Sequence, residues 1–145
     1  MNNILLAIKD CEAETSSSAI VQKTLELANN CSSKVHIIHV IPPSRTHPYN
    51  VDSEMFNLEV TKAHRHKHDF LLHLEKYFRY LDIDVTAQLI QGSIISAIVQ
   101  QSERLDVDLI MLGHQKHGAL YKALMGDAIE RLLAKSSCPI MFVHV

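Results

Sequence analysis

The stretch DVTAQLIQGSIISAIVQQSERLDVDLIMLG, from Asp84 to Gly113, combines two kinds of hydrophobic pattern. It begins and ends with short apolar runs, which are typical of strands buried on both faces. Between these runs, apolar residues recur at the spacing of an amphipathic helix, and Gly92 and Ser93 stand where that helix would begin. The stretch therefore predicts a strand, a crossover helix and a second, parallel strand.

The same alternation continues over the rest of the chain. Further apolar runs are NILLAIK (Asn3 to Lys9), KVHIIHVI (Lys34 to Ile41) and PIMFVHV (Pro139 to Val145). Helical patterns lie between them; one opens with the serine-rich TSSS, which suits an N-cap, and the longest covers Ser53 to Leu81. The order β-α-β-α-β-α-β-α-β predicts a single domain over residues 1–145, of class α/β, with an open parallel sheet and helices on both faces. In such sheets ligands bind beyond the carboxyl ends of the strands.

Composition and charge narrow the classes of protein. The 145 residues carry a formal net charge of -2, which gives no support for nucleic-acid binding. No apolar run approaches the length of a membrane span, and the N-terminus lacks a signal-peptide core. The three cysteines, Cys11, Cys31 and Cys138, are odd in number and far apart, which favours a reducing cytoplasm over a disulfide framework. Nothing beside Cys11 argues for a reactive thiolate. We therefore predict a cytoplasmic protein.

The chain resembles the universal stress protein family over its whole length. The resemblance rests on ILLAIKDCEAE near the start, KVHIIHV for the second strand and QGSIISAIVQQSERLDVDLIMLGH through the fourth. It continues in LMGDAIERLLAKSSCPIMFVHV, where a glycine opens a helix, "ER" follows, and "CPI" leads the final strand. The resemblance implies a Rossmann-like fold with five strands in the order 3-2-1-4-5.

ATP-binding members of this family resemble one another in a loop pattern that this chain keeps only in part. The pattern is Gly, two residues, Gly, nine residues, Gly, then Ser or Thr, and its positions fall on Gly113, Lys116, Gly126 and Asp127. The first and third glycines match, whereas Lys116 and Asp127 depart from the pattern. The family's adenine-contacting aspartate falls on Lys9, with Asp10 one residue late. Val40 occupies the position whose main chain contacts adenine.

These departures weaken the expected phosphate site. Free N–H groups and the positive end of the helix dipole hold a phosphate at a helix N-terminus, and Asp127 would place its own carboxylate there. A carboxylate about 5 Å from a phosphate charge costs roughly 3 kcal/mol at an effective dielectric near 20. With Lys9 in place of the aspartate, a hydrogen bond to adenine is lost. Lys116 could attract phosphate, but as a non-glycine residue it disfavours a left-handed backbone conformation. The balance corresponds to about a hundredfold weaker binding. We expect no bound cofactor, with ATP or AMP as the alternative.

Histidines form three groups with different expected roles. The segment HRHKHDFLLH holds His64, His66, His68 and His73; it is expected to be a solvated helix face that gains positive charge near pH 6 rather than a metal site. In the second strand, His36 and His39 are expected to be core or sheet-edge residues satisfied by hydrogen bonds. His114 and His117 are expected in the loop after the fourth strand, with phosphate contact as the alternative. Some family members that do not bind ATP also begin this loop with a GHQ-like sequence, which Gly113 to Gln115 match.

No catalytic constellation is present in the sequence. There is no H-x-G-H pattern, no G-x-S-x-G elbow and no Walker loop. We expect a non-enzymatic stress-response protein with a degenerate nucleotide cleft, or alternatively a switch that responds to ATP or AMP. An apolar last strand at the sheet edge predicts a homodimer joined through Pro139 to Val145, and the family resemblance implies the same contact.

Overall fold

The computed structural model describes residues 1–8, 18–41, 54–114 and 127–144, with backbone alone for 54–64, 114, 127–129 and 144. Nine elements alternate along the chain. The strands are β1 (Asn3–Ile8), β2 (Lys34–Ile41), β3 (Val85–Gln91), β4 (Leu109–His114) and β5 (Ile140–His144). The helices are α1 (Ala19–Cys31), α2 (Glu54–Tyr80), α3 (Ile94–Arg104) and α4 (Asp127–Lys135).

The five strands form one parallel sheet in the order β3-β2-β1-β4-β5. This confirms the predicted α/β class and the strand order. Each predicted strand is present, with bounds that differ by at most two residues: β4, for example, begins at Leu109 rather than Val107. The helix of the Asp84 to Gly113 stretch, α3, follows Ser93, which has an extended backbone and occupies the N-cap position.

Apolar side chains of the strands divide between two cores because successive strand residues point to opposite faces. Ile4, Leu6 and Ile8 join the core under α1 and α2, which those helices fill chiefly with Ile20, Val21, Leu25, Leu71, Leu74 and Phe78. Leu5 and Ala7 join the second core, under α3 and α4. Helices therefore cover both faces, as the continuous apolar runs predict.

The turns after three helices carry left-handed residues that are not glycine. Ser32 follows α1 with a φ of 52°, Asp82 follows α2 with a φ of 62°, and Asp106 follows α3 with a φ of 51°. At the start of α1, Ser18 occupies the N-cap position that the serine-rich sequence predicts, but its hydroxyl makes no capping hydrogen bond. That helix is therefore held by its buried face rather than by its cap.

Several predictions fall on parts of the chain that are not described. The stretch from Ser44 to Asn50 contains Pro48, follows Pro42 and Pro43, and has no hydrophobic periodicity, which predicts a disordered or mobile segment. It lies outside the described residues, as does Val145. The long helix begins at Glu54 and ends at Tyr80, close to the predicted Ser53 and Leu81. Within the described helices, none is long and apolar enough to cross a membrane.

Candidate functional site

The carboxyl edge of the sheet, around the end of β1, is where the topology places a ligand site. Strand order changes direction at β1, which lies between β2 and β4. The pairing of β1 with β2 ends at His39, and its pairing with β4 ends at Leu112. Val40 and Gly113 are therefore the next residues of the two flanking strands, one on each side of the end of β1. Such a switch point is the usual crevice for a ligand in open α/β sheets.

Val40 and Gly113 are both buried, and they give this edge an apolar floor. The side chain of Val40 is 3% exposed and belongs to the core under α3 and α4, together with Leu112 and Leu132. Gly113 pairs with Val143 of β5. Pairing of β2 with β3 continues past Val40 as far as Ile41 and Gln91, so Val40 is held by a strand on that side.

Helix α4 begins at Asp127, the residue that the sequence predicts at the phosphate-binding end. The helix follows β4 and packs on the face that carries Val40, since Leu132 lies in the same core. Its N-terminus therefore lies at the carboxyl edge of the sheet, as in other strand-loop-helix units. A residue with an anionic side chain thus heads the helix whose positive end would attract a phosphate.

Three predicted site residues, Lys9, Lys116 and Gly126, lie outside the described residues, and so do Cys11 and His117. Val40, Gly113 and the backbone of Asp127 are the part of the predicted cleft that the structure brings to one edge. The sequence places His114 in a loop, whereas the structure has it as the last residue of β4, paired with His144.

His36 forms a polar link across three strands, which the sequence did not predict in this form. The imidazole is 6% exposed. Its Nδ1 lies 2.8 Å from Oγ1 of Thr86 on β3, and its Nε2 lies 3.1 Å from Oδ1 of Asn3 on β1. Because an amide oxygen only accepts, Nε2 carries the proton and donates to Asn3, and Nδ1 accepts from the hydroxyl of Thr86. The expectation of a histidine satisfied by hydrogen bonds is confirmed for His36.

The pKa of His36 is lowered from its ordinary value of 6.5. Burial is the largest cause, because it penalises the charged form, and the positive charges of Lys34 and Arg104 act in the same direction. Asp84 opposes them. The sequence does show polar residues, Asn3, His36 and Thr86, within three apolar strands. The strand register is needed to reveal that these residues contact one another.

His39 and the histidines of α2 have contrasting surroundings. His39 is completely buried and packs edge-on against Phe70, with ring centroids 6.3 Å apart. His66, His68 and His73 are exposed, in agreement with the predicted solvated face; the side chain of His64 is not described. Over the described parts of the chain, no three histidine, cysteine or acidic side chains are placed to hold a metal ion.

Comparison with known proteins gives a match to one family. Residues 1–144 match the model of the universal stress protein family. No protein of curated function matches the sequence.

Solved structures of low sequence identity share the fold. A universal stress family protein from Burkholderia pseudomallei is 16% identical with a TM-score of 0.70, and the alignment covers 98% of this chain and 95% of the other. A universal stress protein solved in complex with cAMP is 14% identical (TM-score 0.66; 99% and 96% covered). One from Archaeoglobus fulgidus in complex with dAMP is 15% identical (TM-score 0.61; 98% and 97% covered).

Proposed function

The chain belongs to the universal stress protein family, and from that premise we propose that it is a non-enzymatic, cytoplasmic stress-response protein. The protein forms a homodimer and acts by contacting partner proteins. Its nucleotide cleft is degenerate and binds ATP weakly or not at all. The observation that carries this proposal is the start of α4 at Asp127, which puts an anionic residue at the phosphate-binding end of the helix.

The rest of the predicted cleft supports the same reading. In sequence, Lys9 replaces the carboxylate that contacts adenine in the binders, and Lys116 replaces a loop glycine. Val40, whose position contacts adenine through the main chain in the binders, lies buried in the core under α3 and α4. The cleft thus loses complementarity to adenine at Lys9 and to phosphate at Asp127. A ligand with fewer phosphate charges is disfavoured less, because the repulsion by Asp127 scales with charge.

A regulatory nucleotide switch is the second candidate function. It is favoured by two neighbours of the same fold, one solved with cAMP and one with dAMP. Both ligands are adenine nucleotides with a single phosphate, which suits a cleft that rejects a triphosphate. In this alternative, occupancy of the cleft alters the binding of a partner.

Calorimetric titration separates the two candidates. The purified protein is titrated with ATP and magnesium, AMP, cAMP and dAMP. The proposal predicts weak or undetectable heat for ATP, whereas a micromolar affinity for a monophosphate supports the switch.

A substitution series identifies the cause of weak ATP binding. Asp127→Ser alone should tighten ATP binding by up to about a hundredfold, since it removes the carboxylate from the helix end. Adding Lys116→Gly and Lys9→Asp should tighten it further. Glu130→Gln, an exposed acid one turn along α4, is the matched control and should leave the affinity unchanged. Low-micromolar ATP binding by the parent protein, unimproved by these substitutions, contradicts a degenerate cleft.

A further inference from the structure

A groove runs along the amino-end edge of the sheet, on the opposite side from Val40 and Gly113. It lies between the second half of α1 and the turn that joins α2 to β3. Two cavities of about 310 Å³ and about 320 Å³ form it. Asn29 and Ile83 line both cavities, so the two adjoin.

The two sections of the groove differ in chemistry. The first is lined by the apolar side chains of Leu25, Leu81 and Ile83 together with Gln22, Glu26 and Asn29, and Leu81 is 42% exposed. The second is polar and includes Asp82 and Asp84, both exposed. Within the described residues, neither of these carboxylates has an ion pair within 4 Å. The groove therefore offers apolar surface next to unpaired negative charge.

The end of α1 adds to this negative character. The last turn of α1 contains no basic residue, so the partial negative charge of its carbonyl groups is not offset there. Lys34 is the single cation among the described residues that line the groove. Glu26 is already paired with Lys23 at 3.0 Å. The backbone N–H groups of Asn3 and Asn2 donate to Asp108, next to β4, and lower the pKa of that carboxyl group.

We propose that this groove docks an extended segment of a partner protein in which a lysine or arginine stands next to an apolar side chain. The cation meets Asp82, Asp84 and the carbonyl end of α1, and the apolar side chain covers Leu25, Leu81 and Ile83. A small free cation would use the polar section alone. The inference rests on the proposed action through partner contacts and names the surface that makes one.

The position of the groove keeps it separate from the other proposed surfaces. It lies beside β2 and β3, whereas β5 is at the other end of the strand order. It also lies at the edge away from the nucleotide cleft. We therefore expect a docked partner segment to leave the nucleotide cleft and the outer edge of β5 free.

Nitrogen-15 NMR of the full chain tests the proposal with defined probes. The main probe is an acetylated, amidated tetrapeptide of alternating leucine and arginine. We expect amide shifts centred on Leu25, Asn29 and Asp84, and an affinity about tenfold or more above that of the matching leucine-glutamate tetrapeptide. The absence of shifts, equal binding of the two peptides, or equal binding of 1,4-diaminobutane overturns the proposal.

Paired variants assign the two sections. Asp82→Asn with Asp84→Asn should weaken the leucine-arginine peptide about fivefold or more, and Leu81→Ser should weaken it to a similar degree. Asparagine tolerates the left-handed backbone at 82. The controls are Glu103→Gln and Leu133→Ser, which change an exposed acid and an exposed leucine elsewhere. Equal effects of variants and controls overturn the assignment.

The proposed function can be tested independently of the docking groove. Nucleotide titration and sedimentation of the Asp82, Asp84 and Leu81 variants should match the parent protein, because their positions touch neither the cleft nor β5. A groove that binds nothing in a protein that still dimerises and rejects ATP would refute only the docking surface.

Discussion

At the scale of single residues, the surroundings of His36 hold its imidazole in the neutral form. Burial lowers its pKa below the ordinary 6.5, so the folded protein takes up this proton less readily than the unfolded chain. The contribution of the neutral imidazole to stability is therefore complete above about pH 6.5 and is lost as the pH falls from there through the lowered folded pKa.

We predict that His36→Gln costs about 1–2 kcal/mol of unfolding free energy at pH 7.5, because a hydrogen bond across the strands is lost. The loss of unfolding free energy should be smaller at pH 5.5. At that pH the unfolded parent chain is stabilised by protonation of His36, whereas the folded protein must keep the imidazole neutral or bury its charge. Urea unfolding at the two pH values measures this. His73→Gln, on the exposed face of α2, is the control. A cost that is the same at both pH values contradicts the linkage.

Gly92 carries a second prediction at this scale. Its φ of 152° is a conformation that side-chain-bearing residues rarely adopt, although no atom would obstruct a Cβ there. Its N–H donates to the carbonyl of Ile41 at 2.9 Å and so ties the ends of β2 and β3. Gly92→Ala should lower the unfolding free energy by about 1–3 kcal/mol through backbone strain alone. Gln91→Ala, an exposed neighbour, should change it by much less; equal losses would point away from the backbone.

At the scale of elements, the end of α1 is less stable than it could be. Ser32 adopts a left-handed conformation while its N–H still donates to the carbonyl of Ala28. Glycine reaches that conformation without penalty, so Ser32→Gly should stabilise the protein by about 0.5–1 kcal/mol. Asn30→Gly, two residues earlier inside the helix, should destabilise it by about as much. Thermal unfolding of both variants shows whether each change raises or lowers the stability. If both substitutions stabilise the protein, or neither does, the left-handed strain at Ser32 is not the cause.

The elements themselves could be predicted because their hydrophobic periods are clear. Continuous apolar runs predict the strands, and apolar residues at helical spacing, including Leu71, Leu74 and Phe78, predict α2. The structure confirms that these three side chains pack on the sheet. What periodicity could not supply was register, which alone brings His36 between Asn3 and Thr86. It also could not supply the groove at the base of the sheet, because a cavity depends on how α1 and the turn after α2 are placed in space.

The candidate site was predictable only in its position. Strand order and the start of α4 place Val40, Gly113 and Asp127 at one edge, as the sequence indicates. The affinity of that edge for a nucleotide depends on how far the side chains of Lys9, Lys116 and Asp127 lie from the phosphates. A sequence motif does not specify these distances. The weak-binding hypothesis therefore stays a prediction for titration to decide.

At the scale of the whole molecule, β5 is an edge strand of the described sheet, and we propose that a second copy of the chain pairs with it. Within the described residues β5 has a single neighbour, β4, and Ile140 to Val143 are all half-buried. The N–H of Ile110 donates to the carbonyl of Pro139, so the main-chain groups of Met141 and Val143 face β4 and those of Ile140 face away from it. Antiparallel pairing of two such strands satisfies the outward groups and closes a two-fold dimer.

Phe142→Lys or Val143→Lys should convert the dimer to a monomer in analytical ultracentrifugation, because each buries a charge in the contact. Leu133→Lys places the same charge on an exposed residue of α4 and should leave the dimer intact. Circular dichroism checks that each variant is folded. A parent protein that sediments as a monomer at high micromolar concentration refutes the dimer.

The central position of β1 in the sheet affects how the chain folds during its synthesis. Ile4 pairs with Val35 on one side and with Leu109 on the other. As the polypeptide leaves the ribosome, β1, β2 and β3 can assemble under α1 and α2 early, but the second side of β1 has no strand to pair with until β4 emerges. Open strand edges recruit other chains, and long-range pairing is slow. A nascent chain that pauses before β4 thus exposes its most apolar strand, and its escape from aggregation depends on what shields that edge during translation.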